Sequence, residues 1–297
     1  MGATYHPSSR THDRTAVAST RPGRLDNLWP QARPVVMGIL NCTPDSFSDG
    51  GRSYVLDDAV RHAADLIEGG ATIIDVGGES TRPGAAPVAA DEERRRVVPV
   101  ITEIRRRWPE SLISVDTSKL EVAAEALQTG ADLVNDVTAA SETGMLKLVA
   151  AHGAGIVLMH IRGEPRTMQE DTTYTNVVAE VHQHLRQRAR AAVEAGIPPH
   201  GVWLDPGIGF GKDDAGNLEL LASLPSLGVI GHPVLIGPSN KSFIGRLTGA
   251  PVEARLPGTL AALIPAIDLP QAVIRVHDAA AATQFLEVAA RVVRNTA

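Results

Sequence analysis

Polar side chains recur directly after short apolar runs in this sequence, and their types favour the binding of a flat heterocycle. The carboxylates of Asp75, Asp116 and Asp205 and the carboxamides of Asn41 and Asn135 occupy such positions. A carboxylate can accept two N–H bonds from the edge of a 2-aminopyrimidine ring, and an asparagine side chain can both donate and accept. This set therefore indicates a ligand ring with several N–H donors and ring acceptors.

Cations lie at the last two apolar runs and in a glycine-rich loop, where they would suit an anionic group. Lys241 lies in the loop that follows the seventh run, Arg275 lies in the eighth run, Arg82 lies in the glycine-rich loop, and His277 directly follows the eighth run. Arginine and lysine bind phosphate and diphosphate oxygens. Protein oxygens beside such phosphates could also hold Mg²⁺, which prefers a few protein oxygens together with phosphate and water. We therefore expect a phosphate or diphosphate leaving group near His277.

Other catalytic chemistries find less support in the sequence. Histidine and cysteine spacing gives no zinc site, and solvated helix or loop positions are expected for His62, His152, His182, His184 and His200. His160 directly follows a predicted strand, so it could be either a ligand-binding or a structural residue. Cys42 has no evident base beside it and is predicted to be a packing residue instead of a nucleophile. Residues 207–211, Gly-Ile-Gly-Phe-Gly, open no clear helix and are not a dinucleotide fingerprint.

Apolar runs alternate with amphipathic stretches from residue 34 onward, which predicts the elements that must position these residues. The runs predict strands near 34–40, 72–76, 111–115, 132–135, 155–160, 202–205, 233–236 and 273–276. The other stretches predict helices near 57–68, 91–107, 118–129, 142–152, 174–195, 214–224, 254–267 and 279–293. This strict alternation favours a (β/α)₈ TIM barrel, in which all the strand ends meet at one mouth. A doubly wound open sheet is the alternative.

Composition limits the class of protein and its location. The chain has 297 residues, a net charge of −6 and 43% hydrophobic residues. The net negative charge argues against nonspecific electrostatic binding of nucleic acid. No apolar run approaches the roughly 18 residues of a membrane-spanning helix. We expect a soluble cytoplasmic protein that binds small molecules and neither nucleic acid nor membrane. Residues 1–33 lack apolar periodicity, so a flexible N-terminal extension is expected before a single domain over 34–297.

Seven motifs, in order along the chain, resemble those of the dihydropteroate synthase family. They are segments 41–51, 75–84, 114–117, 135–136, 158–160, 204–212 and 275–278. The first two, Asn-Cys-Thr-Pro-Asp-Ser-Phe-Ser-Asp-Gly-Gly and Asp-Val-Gly-Gly-Glu-Ser-Thr-Arg-Pro-Gly, resemble the two signature loops of that family. The resemblance covers about residues 34–293, with each motif at an expected strand end.

The resemblance implies a pterin-binding barrel that joins 6-hydroxymethyl-7,8-dihydropterin diphosphate to 4-aminobenzoate in folate synthesis and releases diphosphate. It also implies Mg²⁺ as cofactor and a homodimer. The catalytic residues it implies are Asp116, Lys241 and Arg82. The implied pterin diphosphate contacts are Thr81, Asp116, Asn135, Met159, Asp205, Lys241, Arg275 and His277. The implied 4-aminobenzoate contacts are Phe47, Pro83, Phe210 and Ser242, and the implied metal ligand is Asn41.

One departure from the family pattern and two alternative functions bear on this interpretation. The family usually has Ser-Arg-Lys-Ser where this chain has Ser-Asn-Lys-Ser over residues 239–242, so Asn240 replaces a planar cation. Asn240 is either a tolerated rim residue or a cause of altered sulfonamide sensitivity. The alternative functions are a non-catalytic pterin-binding paralogue and a pterin-dependent methyltransferase domain. The retained loop residues Phe47, Thr81 and Arg82 argue against the paralogue, and the Arg275–His277 pair argues against the methyltransferase.

Overall fold

Eight parallel strands form a closed barrel at the centre of the chain. A computed structural model describes residues 24–29, 31, 33–43, 52–81 and 84–295. The strands pair in chain order, and the eighth closes the barrel against the first. They are β1 (Val35–Asn41), β2 (Ile73–Gly77), β3 (Leu112–Asp116), β4 (Leu133–Asp136), β5 (Gly155–Met159), β6 (Val202–Asp205), β7 (Val234–Ile236) and β8 (Ala272–Val276). This topology confirms the predicted TIM barrel and excludes the open doubly wound sheet.

Ten α-helices in the described part of the chain surround the barrel. They are α1 (Arg52–Glu68), α2 (Ala90–Arg107), α3 (Leu120–Thr129), α4 (Met145–Ala151), α5 (Val177–Glu194), α6 (Asp214–Ala222), α7 (Leu224–Gly228), α8 (Ser242–Thr248), α9 (Leu256–Ala261) and α10 (Ala279–Asn295). Side chains cap α5, α6 and α10, because Asn176 accepts the N–H of Ala179, Asp213 accepts that of Gly216, and Asp278 accepts that of Ala281. Among the described residues, no helix combines the length and apolar character needed to cross a membrane.

The continuous helix predicted over 254–267 is wrong. The structure has the short α9 there, with 3₁₀ turns at Val252–Ala254 and Ile264–Ala266 on either side. Pro257 and Pro265 lie in the first turn of α9 and of the second 3₁₀ turn, respectively. A proline is tolerated in a first turn, where its missing N–H is not needed, but it interrupts a helix interior. The two prolines therefore divide the segment into short pieces.

Alternation of side chains along the strands sets the level at which polar groups enter the barrel. One buried interior layer contains Val35, Met37, Ile73, Leu112, Leu133, Val157, Trp203, Leu235 and Val273. Successive strand residues point to opposite faces, so residues two positions further along each strand point inward again. From β2 to β8 these residues are Asp75, Ser114, Asn135, Met159, Asp205, Gly237 (directly after β7) and Arg275. The apolar interior thus changes to a mostly polar layer within one repeat, at the carboxyl ends of the strands.

The described part of the predicted N-terminal extension packs under the opposite end of the barrel. Leu25 and Leu28 are buried and belong to the interior apolar cluster. A Cβ on Gly155, at the start of β5, would lie 2.6 Å from Leu25 Cδ1, so these two segments of the chain are in close contact. Arg24 Nη1 also contacts Asp132 Oδ1 at 3.4 Å, just before β4. Residues 24–29 therefore close the floor of the barrel, and residues 1–23 lie outside the described part of the chain.

Truncation of Leu28 should destabilise the barrel although this residue lies outside the predicted domain. We expect Leu28→Ala to lower the free energy of unfolding by roughly 2–4 kcal/mol, because it leaves a cavity beneath the interior layer. Urea denaturation followed by circular dichroism measures the change. The matched control is Leu247→Ala, at a position that is 52% exposed, where a change within about 0.5 kcal/mol is expected. Equal effects of the two substitutions would contradict the proposed floor.

Candidate active site

The carboxyl ends of the strands enclose a cavity that collects most of the residues predicted from the sequence. The opening has a volume of about 350 Å³, which includes the part that is open to solvent. Its lining consists of Thr81, Asp116, Asn135, Val137, Met159, Asp205, Ile208, Phe210, Gly237, Lys241 and Arg275. The sequence did not single out Val137, Ile208 or Gly237, because an apolar residue or a glycine in a loop carries no chemical signal of its own. Polar groups from β3, β4, β6 and β8 thus face one space.

Arg275 joins the carboxylates of Asp75 and Asp116 at the bottom of the cavity. Its Nε lies 2.6 Å from Asp75 Oδ2, and its Nη2 lies 2.6 Å from Asp116 Oδ2. Asn135 Nδ2 donates to the same Asp75 oxygen at 3.0 Å. Asp75 is fully buried, and its Oδ1 has no hydrogen-bond partner among the described residues. Asp75 therefore orients both Arg275 and Asn135, a role that the sequence did not assign to it.

The charges in this group are unequally compensated. Burial raises the pKa of Asp116, and the neighbouring carboxylate of Asp75 adds to this effect, while the charge of Arg275 opposes it. Burial also disfavours the charge of Arg275, but Asp75 and Asp116 outweigh it and raise the pKa of the guanidinium. The single positive charge of Arg275 thus neutralises only one of two carboxylate charges, and the raised pKa of Asp116 shows that its negative charge is incompletely stabilised. A ligand that donates N–H bonds to Asp116 would stabilise this charge.

A second pair of charges lies on the β6 and β7 side of the cavity. Burial raises the pKa of Asp205 to about 6, although the N–H of Gly207 donates to its Oδ1 at 2.7 Å. Burial and the charge of Arg275 lower the pKa of Lys241 to about 7. Lys241 Nζ lies 3.7 Å from the centre of the Phe210 ring, in a cation–π contact. Acceptor and donor groups that titrate near neutrality therefore face the same ligand space.

Lys212 holds the loop after β6 in place, a function that its motif position did not reveal. Its side chain is buried, and Nζ donates to the carbonyls of His160, Gly207 and Phe210 at 3.0, 2.8 and 2.9 Å. Burial lowers the pKa of Lys212 to about 7. Three short contacts to carbonyl oxygens nevertheless need the three N–H donors of the ammonium form. The loop that carries Ile208 and Phe210 is thus fixed from beneath.

Two histidines bear on the sequence expectations: His160, for which a ligand-binding and a structural role were both open, and His182, which was expected to be solvated. His160 is buried beside His184 and does not line the cavity; the two ring centres are 5.1 Å apart and the rings are edge-on. Burial, with the charge of Lys212, lowers the pKa of His160 to about 3, so its ring is neutral. His182, predicted to be solvated, is only 7% exposed. It lies in α5 beside Val181, on the face that packs against the barrel, which explains the wrong prediction.

Cys42 agrees with the packing role predicted for it. The thiol is buried and unpaired. Burial raises the pKa of Cys42 to about 12, which keeps the sulfur protonated and poorly nucleophilic.

Three predicted site residues lie near the mouth without lining the described cavity. Asn41 ends β1 and is half-buried, Ser242 is exposed as the first residue of α8, and His277 follows β8. His277 Nδ1 lies 2.9 Å from the hydroxyl of Ser239, which also accepts the backbone N–H of His277 at 3.2 Å. The remaining predicted residues Phe47, Arg82 and Pro83 lie outside the described residues.

Asn240 has a backbone conformation that asparagine adopts more readily than most other residues. Its φ angle is 57°, in the left-handed region, where asparagine is several-fold enriched over other non-glycine residues. Its N–H donates to Thr259 Oγ1 at 3.1 Å, and its carbonyl accepts from Arg255 Nη1 at 3.1 Å. The loop before α8 is therefore held through the main chain of Asn240, directly before the cavity residue Lys241.

Comparison with known proteins places this arrangement among pterin enzymes. A family described as "Pterin binding enzyme" matches residues 37–277. Dihydropteroate synthase of Escherichia coli K12 is 47% identical over 257 residues, which are 86% of this chain and 91% of that protein. The structure of Xanthomonas albilineans dihydropteroate synthase with 4-aminobenzoic acid has a TM-score of 0.82 and 46% identity, covering 88% of this chain and 93% of the other. The complex of the Xanthomonas albilineans protein with 7,8-dihydropteroate has a TM-score of 0.79 and 44% identity, covering 88% and 94%.

Proposed function

Because the chain belongs to the dihydropteroate synthase family of pterin-binding enzymes, we propose that it condenses 6-hydroxymethyl-7,8-dihydropterin diphosphate with 4-aminobenzoate. The products are 7,8-dihydropteroate and diphosphate. The observation that carries the proposal is the convergence of Asp116, Asn135, Asp205 and Lys241 on one cavity. Family membership confirms the resemblance found in the sequence. The multiply charged diphosphate ester would not cross a lipid bilayer unaided, and we place the reaction in the cytoplasm.

The pterin ring is proposed to lie between the polar groups and the apolar wall of the cavity. Asp116 and Asp205 accept the ring N–H donors, and Asn135 both donates and accepts. Met159 packs against the flat face of the ring. Lys241 provides a cation beside the ring acceptors. The undercompensated charge of Asp116 favours this ligand over a purely anionic one.

The diphosphate is proposed to lie toward Arg275 and Thr81, which both line the cavity. His277 lies two residues beyond Arg275 and would contact the outer phosphate, as would Arg82. Among the described residues no group of three or more His, Cys, Asp or Glu could hold a metal ion. One carboxamide oxygen from Asn41, with diphosphate and water oxygens, fits Mg²⁺, which seldom uses an all-protein cage. When bound there, Mg²⁺ would neutralise charge on the departing diphosphate.

The 4-aminobenzoate is proposed to enter from the outer side of the cavity. Phe210 lines this space, and its ring is fixed by the contact with Lys241. Ser242, at the start of α8, would meet the carboxylate of the substrate. Phe47 and Pro83 would provide apolar walls, as the family resemblance implies. The aromatic substrate would then lie with its amine toward the pterin.

The reaction needs electrostatic stabilisation more than proton transfer by the protein. The bond between the exocyclic carbon and the diphosphate oxygen breaks, and diphosphate leaves with the electron pair. The resulting cation is delocalised into the electron-rich pterin, and the carboxylate of Asp116 stabilises it. The amine nitrogen of 4-aminobenzoate then bonds to that carbon and loses one proton to solvent. Exclusion of water by the two bound substrates would favour the amine as the nucleophile.

A coupled assay of diphosphate release with both substrates and Mg²⁺ tests the function. We expect Asp116→Asn to retain the fold but to reduce turnover at least about tenfold, because a carboxylate facing the developing cation is lost. The control is Glu110→Gln, at a side chain that is 97% exposed, with unchanged turnover expected. Undiminished turnover in Asp116→Asn would remove this residue from its role. Diphosphate release that does not need 4-aminobenzoate would indicate hydrolysis, and binding of the pterin without turnover would indicate a non-catalytic paralogue.

Asn240 is proposed to alter inhibition by sulfonamides, which mimic 4-aminobenzoate. We expect Asn240→Arg to change the sulfonamide inhibition constant at least about threefold, the size of effect that a solvated charge pair gives. Asn240→Gly is the matched control, because glycine accepts the left-handed backbone and lacks a side chain. We expect inhibition of the Gly variant to equal that of the natural protein. Equal constants in all three proteins would exclude an influence of this position.

We propose a homodimer that forms through the apolar groove between the α9 region and α10. Ile264, Val288 and Val292 on this surface are each more than half exposed, at 57%, 58% and 57%. The other apolar members of the groove include Leu256, Leu260, Ile267, Phe285 and Val293. Burial of such a continuous apolar surface favours association with a second copy of the chain.

Charge introduced into this groove should dissociate the dimer. We expect the double variant Val288→Asp with Val292→Asp to be monomeric at concentrations at which the natural protein is dimeric, because two carboxylates would be buried without partners. Light scattering after size exclusion measures the mass. Val229→Asp, at an 85% exposed residue outside the groove, is the control and should stay dimeric. A dimeric double variant would place the interface elsewhere.

A further inference from the structure

An ion network outside the cavity joins the loop after β2 to the loop after β3. Lys119, which precedes α3, has its Nζ 2.7 Å from Glu79 Oε2 and also contacts Glu93 Oε2. Glu79 follows β2, and its other oxygen, Oε1, accepts the backbone N–H of Val88 at 2.7 Å. Glu79 thereby ties the start of the β2–α2 loop to its end. Glu93, in the first turn of α2, is fully buried.

The main chain before Thr81 is pressed against α2 at the same place. A Cβ on Gly78 would lie 2.9 Å from both Glu93 Cγ and Val97 Cγ1, so no larger residue fits there. Arg96 Nη1 donates to the carbonyl of Gly78 at 2.9 Å. Glycine permits the close approach, and Arg96 and Glu79 then hold the backbone on either side of it. Thr81 follows within three residues and lines the cavity.

We propose that Lys119 is a positioning residue that acts through Thr81: it holds Glu79, and Glu79 sets the place of Thr81 at the cavity wall. This inference rests on the proposed function, in which Thr81 contacts the diphosphate of the pterin substrate. Thr81 is thus a phosphate contact whose position is fixed from outside the cavity. Lys119 also lies three residues after Asp116. Its contact with Glu79 therefore also fixes the position of the loop that carries Thr81 relative to the end of β3, which carries Asp116.

The chemistry of the network favours a geometric role over a purely stabilising one. Apolar side chains of similar volume usually pack as well as a buried ion pair, because the ion pair must first lose its hydration. Charged hydrogen bonds differ from apolar contacts in their directionality. Two carboxylates from different elements meeting on one ammonium therefore select one arrangement of the loop. The network lies at the carboxyl end of the barrel, the end that carries the active site in this fold.

A double-mutant cycle in the full chain tests whether Lys119 acts through Thr81. The four proteins are the natural chain, Lys119→Met, Thr81→Val and the double variant, each assayed for kcat/KM with pterin diphosphate at saturating 4-aminobenzoate. We expect Lys119→Met to lower kcat/KM at least about tenfold in the natural background, as misplacement of a binding group does. In the Thr81→Val background we expect a loss below about threefold, because coupled residues are non-additive. We expect KM for 4-aminobenzoate to change little.

Each remaining outcome decides for or against the proposal. Equal losses from Lys119→Met in both backgrounds overturn it, and so does a single variant Thr81→Val whose kcat/KM equals that of the natural chain. Lys147→Met, at an exposed lysine of α4, is the control and should match the natural protein. If Lys119→Met does not fold, the same cycle is run with Glu79→Gln, which removes the charge and keeps the shape. If the natural chain forms no dihydropteroate, the proposed function fails, and the cycle is measured as calorimetric binding of pterin diphosphate; additive or absent binding effects then overturn the positioning role as well.

Discussion

The sharing of one guanidinium between Asp75 and Asp116 is the constraint on which the active site depends. Three carboxylates, of Asp75, Asp116 and Asp205, enter the mouth of the barrel together with the two cations Arg275 and Lys241. When all five are ionised, the carboxylates exceed the cations by one charge. Excess buried negative charge is unfavourable unless donors satisfy it. A heterocycle that presents several N–H groups supplies those donors, so the charges of the site favour a ring of this kind.

Closure of the barrel is what makes that sharing possible. Arg275 lies on β8 in register with Met37 of β1, whereas Asp75 and Asp116 lie on β2 and β3. The Arg275 side chain therefore reaches past β1 to meet both carboxylates. An arginine suits this task because its planar fork offers two donors in fixed directions, whereas lysine is a point charge. In an open sheet with β1 and β8 at different edges, these partners would not meet.

Local sequence signals predicted the strands and most of the cavity, whereas partnerships between distant residues had to come from the structure. Each strand carries its own alternation, and each polar residue at a strand end, such as Asp205 or Asn135, is visible in its own motif. The Arg275–Asp75 contact joins residues 200 positions apart, and the Lys212–His160 contact joins residues 52 apart. No local pattern contains such pairs. The same holds for Lys119, which is an ordinary residue before a helix until Glu79 and Glu93 are seen beside it. The prolines that divide residues 254–267 are a different case, because they are visible in the local sequence and need no distant partner to be recognised.

Two lysines at the mouth show how a structural cation differs from a ligand-binding one. Burial lowers the pKa of both Lys212 and Lys241 to about 7, so titration does not separate their roles. Their donors do. All three N–H groups of Lys212 are used by main-chain carbonyls, which leaves none for a substrate. Lys241 instead lies over Phe210 and faces the cavity, and no main-chain carbonyl of the described residues takes its donors. Of the two, only Lys241 can exchange its present contacts for contacts with a ligand, and the fixed loop above Lys212 keeps Phe210 in position beneath it.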